Sequence, residues 1–193
     1  ESFPLTAEAA IDSINHGYNL VSHVGHGNKD ILRASKNDYI IVQDVDALTN
    51  GLDKSGLVWM LNCTSTAIEY DCISEHFMNN PNGGCSFLYG PTRFCFPTTA
   101  KDYYYTWHEL VYGGTDRMGV AAALCKVPYV PEASYDNTDR WTQMSYLFLG
   151  DPEARLWICR PTSMSVVHDA SVPLGPVELS VTVLDPSPVD SAY

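Results

Sequence analysis

With 193 residues the chain holds one domain, or one domain and a fragment of a second, and 45% hydrophobic with 18% charged residues is the composition of a folded globular protein rather than a disordered one. A formal charge of −12 with only 11 Lys and Arg leaves no basic clusters to neutralise phosphates, which excludes nucleic acid and anionic membrane surfaces as partners. No apolar run approaches the roughly 18 residues that span a bilayer, no signal peptide opens the chain and Glu1 is not an initiator Met, so the sequence reads as a mature or excised piece.

Taken in order, Thr6 is placed to cap a helix over Ala7 to Asn15, with Ala10, Ile11 and Ile14 at helical spacing and Gly17 ending it. Tyr18 to Val24 is a nearly continuous apolar run, the pattern of a strand covered on both faces, and it leads into Gly25-His26-Gly27. Residues 28 to 37 are polar and read as a loop. Tyr39 to Val42 reads as a short strand and Asp44 to Leu48 as a short helix. Leu57 to Leu61 is a second buried strand, which exits through Asn62-Cys63-Thr64-Ser65. A helix over Ser74 to Asn79 stops at Asn80-Pro81-Asn82-Gly83-Gly84, and Cys85 to Tyr89 is a third apolar strand. A loop follows to Thr99, then helices over Lys101 to Tyr112 and Asp116 to Lys126. Val127 to Asp139 reads as a connection, Trp141 to Leu147 as helical, Gly150-Asp151-Pro152 as a turn and Arg155 to Cys159 as a strand. This alternation of helices and strands predicts a parallel α/β sheet with helices on both faces. After Pro161 the texture changes. Val177 to Val183 alternates strictly, as a half-exposed strand of an antiparallel sandwich does.

In open α/β sheets, reacting groups gather at the C-terminal ends of neighbouring strands. His26 and Cys63 both fall there. A thiol is an intrinsically strong nucleophile, and a histidine beside it can protonate a departing amine. Gly27 lets backbone approach closely, so that its N–H can face a developing oxyanion together with that of Cys63. The six cysteines, Cys63, Cys72, Cys85, Cys95, Cys125 and Cys159, form no CxxC pair and no zinc-ribbon spacing. A disulfide of Cys72 with Cys95 or Cys85 fits the pattern, and so do free or buried thiols.

Val24-Gly25-His26-Gly27 and Leu61-Asn62-Cys63-Thr64-Ser65 resemble the His-Gly and Cys blocks of caspase-fold (clan CD) cysteine peptidases, most closely those of the gingipain family. Asn15-His16-Gly17, the Gly-rich strand Gly83 to Tyr89 and the ending Leu149-Gly150-Asp151-Pro152-Glu153-Ala154-Arg155-Leu156-Trp157 are similar to that family in the same order, and Val172 to Asp185 resembles the first strand of the sandwich that follows in its members. The likeness covers residues 4 to 193.

The resemblance implies a caspase-like three-layer α/β/α sandwich with a mostly parallel sheet, over residues 1 to 160, whose N-terminal strands precede residue 1. Residues 161 to 193 would be a linker and the first strand or strands of an Ig-like β-sandwich. It implies a cysteine endopeptidase with Cys63 as nucleophile, His26 as acid–base, and the Gly27 and Cys63 N–H groups as oxyanion hole. Cleavage after basic residues is part of the same implication. The segment Tyr89 to Phe96, with Tyr89, Phe94 and Phe96, would line the primary specificity pocket. The family has Ala where this chain has Asn62. No cofactor is required and no metal takes part in the chemistry. The resemblance allows a calcium ion near Asp136, Asp139 and Asp151, against the plainer reading of solvated carboxylates. The partners implied are a peptide or protein substrate and the missing N-terminal portion of the catalytic domain. The location implied is extracellular or at the surface of a bacterial cell. The alternative is an inactive gingipain-like surface or secretion-associated binding protein. A legumain-type peptidase fits the Gly-Asp-Pro ending and the sandwich tail less well.

Several residues have plainer readings. His23 and His26 are three apart and face opposite sides of a strand, so His23 reads as core or as support for the site. Asn62-Cys63-Thr64 matches a glycosylation pattern but sits at a buried strand end, so no glycan is expected. Tyr103, Tyr104, Tyr105 and Trp107 read as a helix packing face, and Trp141 and Trp157 as core.

Overall fold

The computed structural model describes residues 5–156, 165–172, 175–176 and 178–184. The chain divides into two compact units, Glu1–Leu156 and Trp157–Tyr193.

The first unit opens with α1 (Ala7–His16). The Thr6 side chain accepts the Ala9 N–H at its start, and Gly17, at φ 84°, closes it by donating its N–H to the Ile14 carbonyl. Strand β1 (Leu20–Val24) follows. The polar stretch after it is not a loop. It forms β2 (Gly27–Asn28), β3 (Ile31–Ser35) and β4 (Asp38–Ile41), an antiparallel three-stranded sheet. The reason is the cross-strand pair Leu32 and Ile40, directly opposite each other and both buried, which gives this short sheet an apolar inner face. Helix α2 (Val42–Asp46) leads to β5 (Leu57–Leu61), then α3 (Ile73–Asn79) and β6 (Phe87–Pro91).

Helix α4 (Pro97–Tyr112) starts on a proline at its first turn, where the missing N–H costs nothing, and α5 (Met118–Leu124) follows. The region expected to be a connection is partly helical, with a short turn of 3₁₀ helix, α6 (Val130–Ala133) and α7 (Asn137–Ser145). Helix α7 starts earlier than Trp141 because Asp136 caps it, accepting the N–H groups of Thr138 and Asp139. It also ends earlier, because Tyr146 to Leu149 is β7.

The main sheet has the order β1-β5-β6-β7. The first three strands run parallel and β7 lies antiparallel on the edge beside β6. The two buried runs read from the sequence are thus adjacent strands, with Val24 opposite Leu61 at their C-terminal ends. All five residues of β5 are buried. Leu57, Trp59 and Leu61 face a layer built by α4 and α5, through Trp107, Val111, Met118 and Ala121. Val58 and Met60 face the opposite layer, which holds Ile14 of α1, Leu32 and Ile40 of the small sheet, and Ile73 and Phe77 of α3. Coverage on both faces is why this strand shows no polar alternation. A mostly parallel sheet between two layers is the architecture that the sequence resemblance implies.

Helix α3 is tied to the end of α2 through His76. The Asp46 carboxylate accepts from its Nδ1 at 2.6 Å, and Asp71 lies 3.2 Å from Nε2 but out of line for a hydrogen bond. The Asp46 hydrogen bond holds the imidazole above its ordinary value, against partial burial. A raised folded-state value stabilises fully below the unfolded value of about 6.5 and the gain is lost as pH rises through the folded value. His76→Gln is therefore expected to cost about 1 kcal/mol at pH 6 and clearly less at pH 9. Urea midpoints at the two pH values check this, and equal losses at both would contradict it.

The second unit contains β8 (Ser165–His168) paired antiparallel with β9 (Val181–Leu184), Val166 opposite Val183. The strand expected from Val177 onward is shorter, since Glu178 to Ser180 lie outside it and Val177 is outside the described residues. Of the expected strand Arg155 to Cys159, Arg155 makes an isolated bridge to Arg117, Leu156 lies outside any strand, and residues 157 to 159 fall outside the described residues, as does Trp157 as a core residue.

Candidate active site

The ends of β1 and β5 meet backbone to backbone. The Gly25 N–H donates to the Leu61 carbonyl at 3.1 Å, continuing the ladder past Val24. Beyond it, His26 occupies the exposed turn between β1 and β2. Gly27 lies against the side chain of Asn62, so close that a Cβ at Gly27 would stand 2.9 Å from the Asn62 amide carbon and nitrogen. Only glycine allows this approach without a shift. The His-Gly turn is thereby seated on the residue that precedes Cys63.

Cys63 is the first half-buried residue after the fully buried β5–Asn62 run, and its thiol is free. The chain turns sharply just past it. Thr64 sits at φ 52°, in the left-handed region that non-glycine residues avoid, at a cost of about 1–3 kcal/mol. Three bonds hold this turn. The Thr64 N–H donates to the Arg93 carbonyl at 3.1 Å, the Thr66 N–H to the Pro91 carbonyl at 3.0 Å, and the Thr64 hydroxyl to Asn28 Oδ1 at 3.1 Å. The Cys63 turn is thus tied both to the loop after β6 and to the small sheet after His26.

Behind it lies a network that sequence reasoning did not find. His23 Nε2 donates to the Arg33 carbonyl at 3.1 Å, and its Nδ1 accepts from Asn62 Nδ2 at 3.0 Å. Asn62 Oδ1 accepts from the buried Ser65 hydroxyl at 2.6 Å. Burial lowers the His23 value from its ordinary one, outweighing the Arg33 carbonyl, which keeps the ring neutral as this pattern of donors and acceptors requires. Asn62 is 1% exposed with its amide engaged. Its only sequence signal is that a polar residue follows an unbroken apolar strand.

The expected substrate-contacting residues separate. Tyr89 is a correction: it is buried in β6, its hydroxyl donates to the Ala122 carbonyl at 3.2 Å, and it belongs to the core rather than to a pocket wall. Phe94 is 70% exposed and Phe96 40%. Trp141, expected in the core, is 41% exposed. Its indole N–H donates to the Phe94 carbonyl at 2.6 Å and its ring meets Phe96 edge to face, so it props the loop instead. On the same loop Arg93 pairs with Glu69 at 2.6 Å. Cys95 also lies there, its Sγ 3.5 Å from the Tyr146 hydroxyl. Burial pushes its thiol above the ordinary value and the nearby Cys63 thiol adds to this.

The cysteines expected as a possible disulfide are free thiols: Cys72, Cys85 and Cys95 are all unpaired, with Cys72 and Cys85 buried. Among the described residues no three His, Cys, Asp or Glu side chains are placed to hold a metal ion. Asp136 Oδ1 caps α7, and Asp151 Oδ1 accepts the Glu153 N–H. Among the described residues no helix is long and apolar enough to cross a membrane.

The model of peptidase family C25 matches residues 1–157. The chain belongs to peptidase family C25. Solved structures resemble this C25 chain in fold. The Arg-specific cysteine proteinase gingipain R (RgpB) matches with TM-score 0.73 at 18% identity, over 89% of this chain and 41% of that one. The complex of Porphyromonas gingivalis RgpB pro- and mature domains matches with TM-score 0.74 at 18% identity, over 89% and 42%. A structure described only as a protease matches with TM-score 0.58 at 17% identity, over 86% and 41%. The C25 chain therefore spans about two fifths of the structures it resembles. No curated protein sequence matches it.

Proposed function

We propose that the chain is part of a cysteine endopeptidase in which Cys63 is the nucleophile and His26 the acid–base. The observation that carries this reading is the seating of Gly27 on Asn62, the residue before Cys63, at the ends of two adjacent parallel strands, in a C25 chain. The Cys63 thiolate attacks the scissile carbonyl carbon, and the carbonyl electron pair moves to oxygen. The Gly27 and Cys63 N–H groups face that oxyanion. Collapse breaks the C–N bond, and the amine leaves with a proton from the His26 imidazolium. His26 then takes a proton from water, which attacks the thioester and frees the carboxylate and the thiol.

Protein substrates follow from the family. Cleavage after basic residues extends to this chain what the name of gingipain R says of that enzyme, and the net charge of −12 favours basic peptides in the same direction. Phe94 and Phe96, exposed on the loop bonded to the Cys63 turn, are the described residues best placed to touch substrate. The remainder of the catalytic domain would pair along β1, an edge strand here. An Ig-like sandwich begun by β8 and β9 and an extracellular or cell-surface location belong to the same reading.

The test is cleavage of a peptide library by the intact parent protein under reducing conditions, with labelling of Cys63 by a peptidyl thiol-directed electrophile. The reading expects both, with a basic residue before the cut. No cleavage together with no labelling would leave the same fold as a binding protein.

A further inference from the structure

We propose that Asn62 is a positioning residue: its side-chain amide holds the His26-Gly27 turn and the Cys63 turn at a fixed spacing. The inference rests on the peptidase reading for its consequence, but its geometry is independent of it.

The path of bonds runs from one block to the other. The His26 carbonyl accepts the Arg33 N–H at 2.9 Å. The carbonyl of the same Arg33 accepts from His23 Nε2, and His23 Nδ1 accepts from Asn62 Nδ2. Asn62 Oδ1 accepts the Ser65 hydroxyl, so the amide also clasps the far side of the turn that carries Cys63. Gly27 packs closely against the same amide. One side chain therefore meets both blocks, in one case by packing and in the other by hydrogen bonds. Every polar atom on this path is matched with a partner of the correct sense, given a neutral His23 ring.

An alanine at this position fills no gap against Gly27 and strips two groups of their partner. The Ser65 hydroxyl, with no exposed surface, loses its acceptor, and His23 Nδ1 loses its donor. The Thr64 hydroxyl to Asn28 Oδ1 bond is a second side-chain tie between the two turns, one residue past Cys63, whereas Asn62 makes the tie one residue before it. The Gly25 to Leu61 bond fixes the strand ends but not the turns beyond them. Displacement of one turn against the other by an ångström is enough to cost a factor of about 10² in a reaction that depends on two groups meeting.

The experiment uses the full-length parent protein and the variants Asn62→Ala, Asn62→Ser, His23→Asn and the double Asn62→Ala/His23→Asn. Three quantities are read: kcat and KM on a cleaved peptide, the rate of Cys63 alkylation by iodoacetamide across pH 5 to 9 (assay conditions on the order of the neutral range where histidine titrates), and the thermal midpoint. Asn62→Ala is expected to lower kcat by about tenfold to a hundredfold with KM within about twofold, and to change the shape of the alkylation profile because Cys63 no longer meets His26 at the same spacing. The double variant is expected to lose no more than the worse single one, since both break one path. Asn62→Ser serves if the alanine variant does not fold.

A lowered thermal midpoint with kcat and the alkylation profile unchanged would overturn the proposal and leave Asn62 as packing alone. Losses that multiply in the double variant would overturn the path through His23. A parent protein that neither cleaves nor is labelled by the peptidyl electrophile, while iodoacetamide still alkylates Cys63, would sink the peptidase reading instead. The alkylation profile needs no turnover and would still decide the positioning.

Discussion

Cys63→Ala in the full-length parent protein is expected to remove peptide cleavage to the background of the assay, and His26→Ala to lower kcat by about 10²–10⁴-fold. The two losses differ for a chemical reason. Without Cys63 no acyl-enzyme forms, and no other described thiol can replace it. Cys72, Cys85 and Cys125 are buried, and Cys95 is held above its ordinary value by burial, with its sulfur beside the Tyr146 hydroxyl. Without His26 the thiol still attacks, but the amine must leave without a proton donor. A loss of about 10³ corresponds to about 4 kcal/mol of transition-state stabilisation. Both side chains lie past the ends of their strands rather than in the core, so the thermal midpoint should move by little in either variant. KM should stay within a few-fold. The double variant should be no worse than Cys63→Ala, because the two act in one sequence of steps. Activity retained in Cys63→Ala would require a different nucleophile and would end this assignment.

The largest loss of stability is expected at Trp59. It sits at the middle of β5 with no exposed surface and meets Tyr89 at 4.3 Å, Trp107 at 5.2 Å, Tyr104 at 5.7 Å and Tyr146 at 6.0 Å between ring centres. Those partners come from β6, α4 and β7, so one indole joins three elements of the main sheet and its outer layer. Trp59→Ala is expected to cost about 3–5 kcal/mol, a large share of the roughly 5–15 kcal/mol that holds a domain of this kind. Trp59→Phe keeps an aromatic ring and should cost clearly less. The Trp59 Nε1 is buried without a hydrogen-bond partner, which reduces what the phenylalanine variant gives up. Urea unfolding followed by far-UV circular dichroism checks both, since it does not depend on the fluorophore removed. An alanine variant within 1 kcal/mol of the parent would contradict the view of this cluster as the centre of the fold.

What could be read from the sequence was whatever depends on burial along one segment. The runs over Leu20–Val24 and Leu57–Leu61 lack polar alternation because helices and the small sheet cover both faces, and that is visible residue by residue. The two runs are adjacent strands with Val24 opposite Leu61 at their ends, and His26 and Cys63 follow those ends in sequence. Three other features depend on pairing between distant segments. Residues 31 to 35 read as a polar loop because only Leu32 marks the inner face, and its partner Ile40 lies across the turn. The segment Tyr146 to Leu149 begins with what read as the last two residues of a helix, Tyr146 and Leu147. It becomes a strand by pairing with β6, Leu149 opposite Leu88 and Tyr146 opposite Pro91. The Asn62 to His23 bond joins residues 39 apart, and depends on the register that sets Val24 opposite Leu61. No local pattern encodes such a contact. Tyr89 read as the last residue of its strand, at the mouth of the loop; β6 runs on to Pro91, so Tyr89 lies inside the strand instead.

Strand β1 has a second consequence, for handling the protein. It forms one edge of the main sheet, and its five residues include no Lys, Arg, Asp, Glu or Pro. Beside it runs a groove lined by Leu5, Ala10, Tyr18, Leu20 and Val21, with Tyr18 57% and Val24 63% exposed. Natural sheets blunt such edges with charge, proline or bulges to prevent strand addition. Produced as these 193 residues, the chain offers an unguarded template for intermolecular β-pairing. Its net charge keeps copies apart only until salt screens it, so its solubility should fall as ionic strength rises.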